Sequence, residues 1–155
     1  MERILFHLDA NAVNARRMNR DLNELEFLAE TGVIDIQFSE VANKEASAGS
    51  RLRSDKVDEY TWAGLTADAS LEDEWRREIQ AAVFPFGVRS DSQRNDIEVL
   101  LTAKLAGAVL VTTDGASKTQ PRGILGSSRE LAALGINVLS PPDALTFAKR
   151  CSERL

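Results

Sequence analysis

Residues 96–114 read DIEVLLTAKLAGAVLVTTD. Ile97, Leu100, Leu101, Lys104 and Leu105 recur at helical spacing, which predicts a helix opening at Asp96 with a mostly aliphatic buried stripe. Gly107 is placed to end it, because glycine accepts the left-handed backbone of a C-terminal cap without steric cost. The run that follows, AVLVT over 108–112, is apolar and β-branched, the pattern of a strand covered on both faces. One carboxylate, Asp96, therefore starts the helix. Another, Asp114, stands just past the carboxyl end of the strand, where open parallel sheets gather their ligands.

Working outward, the same grammar repeats. Ile4, Leu5, Phe6 and Leu8 predict a first buried strand ending at Asp9, with Asn11 as the cap of a short helical start. A helix is expected from about Arg20 to Ala29, with Leu22, Leu25 and Leu28 inward and Thr31-Gly32 as its stop. VIDIQF over 33–38 alternates as a second strand, and Ser39 is placed to cap the helix after it. Residues 48–69 are polar with scattered large apolar side chains (Tyr60 and Trp62 among them) and define no element ends. Leu71, Trp75, Ile79 and Val83 predict a further helix, broken by Phe84-Pro85-Phe86-Gly87. Residues 115–126 read as a loop, and Ser127 or Ser128 as the cap of a helix through Leu134. Gly135 ends that helix, Ile136 to Leu139 form a strand, and Pro141-Pro142 open a last helix to about Arg150. Alternating strands and helices predict an α/β fold with a largely parallel sheet and right-handed crossovers.

At 155 residues, the length suits one domain spanning the whole chain, with a core that needs no disulfide or structural metal. A single cysteine, Cys151, cannot pair internally, and no apolar run is long enough to cross a bilayer. The N-terminus, MERILFHLDANAV, carries acids where a signal peptide would be apolar, so the expected location is cytoplasmic, away from membranes. A net charge of −5 argues against a broad, non-specific grip on nucleic acid, yet agrees with a cluster of metal-binding carboxylates.

If the strands ending at Asp9 and Asp114 are parallel neighbours, both acids emerge at one edge of the sheet. A helix antiparallel to the strand it precedes brings Asp96 to that edge as well. Glu45 joins if its helix packs over the same edge, and Glu40 is its rival. Gathered carboxylates repel one another unless a cation neutralises them. All-oxygen ligation suits Mg²⁺ or Mn²⁺, which polarise phosphoryl oxygens and activate water. Metal-assisted phosphodiester hydrolysis is the chemistry this implies. The only histidine, His7, falls inside a strand and is expected to be a satisfied core or sheet-edge residue.

These residues resemble the PIN domains, metal-dependent ribonucleases that include the VapC-type toxins of toxin–antitoxin pairs. The resemblance runs along nearly the whole chain. It is carried by Asp9 in LDANAV, by Ser39 followed by Glu45, and by Asp96, Gly107 and the ending Val111-Thr112-Thr113-Asp114. It implies a Rossmann-like α/β/α sandwich around a mostly parallel sheet. Asp9, Glu45, Asp96 and Asp114 would be the acidic quartet holding Mg²⁺ or Mn²⁺. Asn11, Thr112 and Ser117 would be auxiliary polar residues. An RNA substrate, a small antitoxin protein and a homodimer are the partners implied.

Arg16, Arg17 and Arg20 follow the first acid closely enough to meet a phosphate backbone, and Arg51 and Arg53 form a second basic group. Arg89 and Arg94 form a third, before Asp96, while Asp91 and Glu98 read as surface charges. Two other readings compete: a PIN-fold binding or scaffold module without catalysis, and a haloacid dehalogenase-type phosphatase using Asp9 as nucleophile. That phosphatase class wants Asp-x-Asp, and here the second position is Asn11.

Overall fold

Among the described residues, strand β1 (Ile4–Leu8) runs through the middle of a four-stranded sheet whose neighbours are all parallel to one another. The computed structural model describes residues 3–15, 19–38, 68–115 and 123–154. After β1 come α1 (Ala10–Ala15), α2 (Arg20–Glu30) and β2 (Ile34–Gln37). Then follow α3 (Ala69–Val83), α4 (Asp91–Ala106), β3 (Val109–Val111), α5 (Gly123–Gly126), α6 (Ser128–Ala133), β4 (Val138–Leu139) and α7 (Pro141–Ser152). The strand order is β2-β1-β3-β4, with Phe6 level with Ile36 on one side and Val109 on the other.

Side chains alternate across a strand, so this register sorts the apolar residues into two cores. Phe6, Leu8, Ile34, Ile36, Val109 and Val111 pack with Leu22 and Leu25 of α2 and with Ala144, Leu145 and Ala148 of α7. Leu110 and Val138 pack instead with Ile79 of α3, Leu100 and Ala103 of α4, and Leu131 of α6. The fold is thus the expected α/β sandwich with helices on both faces of a parallel sheet.

Several boundaries differ from the sequence reading. Helix α4 begins at Asp91, not Asp96, because the Ser90 hydroxyl accepts from the Gln93 N–H at 3.2 Å while the Gln93 side chain accepts from the Arg89 N–H at 2.7 Å. Asp96 therefore lies on the second turn. Asn11 is inside α1 and exposed rather than its cap; Asp9 precedes the helix and accepts from the Ala10 N–H at 2.7 Å. Leu71 is exposed at the start of α3, so the buried stripe of that helix begins later. Ser127 holds the position before α6, yet its hydroxyl donates back to the Gly123 carbonyl at 3.1 Å instead of capping. Residues 123–126, read as loop, form the short helix α5.

His7 departs further. It is buried on a central strand, not an edge, and among the described residues neither ring nitrogen makes a well-aligned hydrogen bond. Burial pushes its pKa down to about 4, and Gln37, its register partner on β2, only partly offsets that.

Candidate functional site

The carboxyl edge of the sheet is where the ladder gives way to acids. The Asp9 N–H still bonds the Val111 carbonyl at 3.0 Å, and the Thr112 N–H bonds the Leu139 carbonyl at 3.1 Å. Both residues therefore keep strand alignment one step past their strands. Parallel pairing of β1 with β3 then sets the Asp9 carboxylate beside the Thr112 side chain, and the Thr112 hydroxyl donates to Asp9 Oδ2 at 2.9 Å. The same hydroxyl oxygen accepts the Asp114 N–H at 3.0 Å. One buried threonine thus ties together two acids that are far apart in sequence.

Each acid is held again from the other side. Asp9 is only 2% exposed, and its Oδ1 accepts the Ala10 N–H where α1 begins. Asp114 is half-buried; its Oδ2 accepts the Ile124 N–H at 3.2 Å, and its backbone carbonyl accepts the Leu125 N–H at 3.0 Å. Helix α5 makes this grip, which the sequence reading missed. The Gly123-Ile-Leu-Gly126 spacing was its only trace. Oδ1 of Asp114 takes no hydrogen bond among the described residues.

Asp96 is half-buried on α4. Among the described residues, no three His, Cys, Asp or Glu side chains converge as ligands for one metal ion. Glu45 and its rival Glu40 lie outside the described residues, as do Ser117, Arg16, Arg17, Arg51, Arg53, Tyr60 and Trp62. Arg20 is exposed at the first position of α2, whose other end turns through Thr31 and Gly32 into β2. That reversal carries Arg20 towards the carboxyl edge. Asp91 and Glu98 are engaged by arginines: Asp91 by Arg94, and Glu98 by Arg76 at 2.6 Å. Both behave as the surface charges expected of them.

An all-parallel sheet flanked by helices on both faces, with acids following β1 and β3, defines an α/β/α sandwich domain. A chain of VapBC2 from Rickettsia felis, in a crystal structure bound to a DNA fragment from their promoter, shares the fold. Its TM-score is 0.58 at 18% sequence identity, over 88% of this chain and 98% of that one. No protein-family model matches the sequence, and no curated protein does. Among the described residues, no helix is long and apolar enough to cross a membrane.

Proposed function

We propose that this chain is a PIN-like endoribonuclease that hydrolyses RNA phosphodiester bonds with Mg²⁺ or Mn²⁺ held by Asp9, Asp114, Asp96 and Glu45. The observation that carries the reading is the Asp9–Thr112–Asp114 connection across adjacent strands. The donors are carboxylate oxygens, which suit a hard cation. Mg²⁺ needs only one or two protein carboxylates beside its waters and the substrate's phosphate oxygens, so Asp9 and Asp114 meet the requirement. When bound, such an ion polarises the phosphoryl oxygen and makes its water a better nucleophile.

The chain's own residues supply position. Thr112 and the Ala10 N–H fix both oxygens of Asp9, so the carboxylate meets a ligand without first ordering itself. The Ile124 N–H holds one oxygen of Asp114. Arg20, with Arg16, Arg17, Arg51 and Arg53, provides phosphate contacts for the strand. A small antitoxin partner, which the likeness to VapBC2 supports, and a homodimer belong to the same proposal.

The test is cleavage of a fluorogenic single-stranded RNA in Mn²⁺. Cleavage should stop with chelator and fall to background in Asp9→Asn and Asp114→Asn, with far-ultraviolet dichroism unchanged. Wild-type protein that leaves RNA intact at every divalent ion tried sinks the reading. The competing reading is a PIN-fold binding module without catalysis. It is chosen if RNA is bound but not cut.

A further inference from the structure

We infer that the turn at Phe84–Gly87, with Arg89 beside it, receives an unpaired base of the substrate strand: Phe86 stacks on the base and Arg89 pairs with the adjoining phosphate. This rests on the nuclease reading above and assigns that site a single-stranded substrate.

The turn is in the right place. Helix α4 ends at Gly107, in the left-handed conformation, and the chain reverses at once into β3. The start of α4 therefore lies at the carboxyl edge, on the side of Asp9 and Asp114. Its 16 residues rise about 24 Å. The backbone from Ala108 to Thr112 covers only about 13–16 Å at strand spacing. The segment before α4 thus projects past the edge where the acids stand.

Its ring is held out deliberately. Phe84 is 6% exposed and Phe86 is 89% exposed, so the first anchors the turn and the second contributes nothing to the core. The Phe84 N–H bonds the Gln80 carbonyl at 2.7 Å, and the Gly87 N–H bonds the Phe84 carbonyl at 3.0 Å. Pro85 restricts one backbone angle, and Gly87 closes the turn at φ +95°. A ring presented on so constrained a turn loses little freedom when it stacks.

Arg89 supplies the charge. Arg76 is committed to Glu98 and Asp73, and Arg94 to Asp91, whereas Arg89 is exposed and forms no ion pair among the described residues. Among the described residues, the other exposed large apolar side chains, Phe27, Leu71 and Phe147, lie on other elements, so there Phe86 is one ring three residues from a cation and not part of a wide apolar patch. A protein partner wants a contiguous patch, while a nucleobase needs one ring face and a neighbouring cation.

The experiment measures binding of a short fluorescein-labelled single-stranded oligoribonucleotide to protein carrying Asp9→Asn, which cannot cut it. Adding Phe86→Ala should weaken binding about tenfold, and Phe86→Trp should restore it. Adding Arg89→Ala should lower the slope of log affinity against log salt by about one. The Phe86 effect should vanish on duplex RNA, whose bases are already stacked. If wild-type protein cuts RNA but Phe86→Ala binds it like the parent, this inference falls and the nuclease reading stands. Wild type that neither binds nor cuts RNA removes both. A change in oligomeric state with unaltered RNA affinity makes Phe86 a protein contact and overturns the assignment.

Discussion

His7 brings two ring nitrogens into the interior, where among the described residues neither makes a well-aligned hydrogen bond. Its folded pKa of about 4 lies below the ordinary value of 6.5. Between those values the unfolded chain binds more protons than the folded one, so stability rises with pH there. The contribution is complete above about pH 6.5 and is lost as pH falls towards 4; it amounts to roughly 3 kcal/mol between pH 7 and pH 4. His7→Leu should therefore be more stable at neutral pH and lose about 3 kcal/mol less on acidification, read from urea melts at both pH values. Parallel acid profiles for the two proteins would refute this. The sequence placed His7 in a buried strand correctly. It could not reveal how poorly the ring is bonded, because that depends on what β2 and the facing helices bring opposite it.

Among the elements, glycines at two positions separate local from long-range demands. Gly107 has φ +64°, and a Cβ built on it would meet nothing within 4 Å. Gly107→Ala should cost only the left-handed backbone, about 1–2 kcal/mol. Gly123 has φ +51°, and its Cβ would come within 2.7 Å of the Gly115 carbonyl oxygen. Gly123→Ala should cost roughly 2–4 kcal/mol, since strain and overlap add. It should also weaken divalent-ion binding, because the Ile124 N–H that holds Asp114 moves with α5. Thermal melts with and without Mn²⁺ check both; equal costs for the two variants would contradict the assignment. Gly107 was legible because a helical stripe stops beside it. Gly123 was not, because its constraint is a backbone segment brought back from residue 115.

For the molecule as a whole, the proposed function has the acids at the carboxyl edge couple folding to a cation. Mn²⁺ at about one hundred times its dissociation constant should add about 2.7 kcal/mol to stability. Asp9→Asn and Asp114→Asn should abolish that increment, whatever their effect on cleavage. A melting temperature indifferent to Mn²⁺ in the wild type would leave the edge without an ion. Two cores, one on each face of the sheet, explain how the edge is held still enough for this coupling. Val109 and Val111 face one core while Leu110 faces the other, so β3 is gripped from both sides, and β1 packs into the first core through Phe6 and Leu8.

Repeating local patterns were enough to set the α/β alternation, the strands at Ile4 and Val109, and the cap at Gly107, because periodicity and turn chemistry act over a few residues. They also singled out Asp9 and Asp114 as acids just past strands. That those two meet through Thr112 depended on β1 lying beside β3, a pairing of residues about a hundred positions apart. The Ile124 grip on Asp114 and the poorly bonded ring of His7 depended on long-range packing in the same way. Hydrogen bonds of this kind are settled by register and by the return path of the chain, and neither is written in the neighbouring residues.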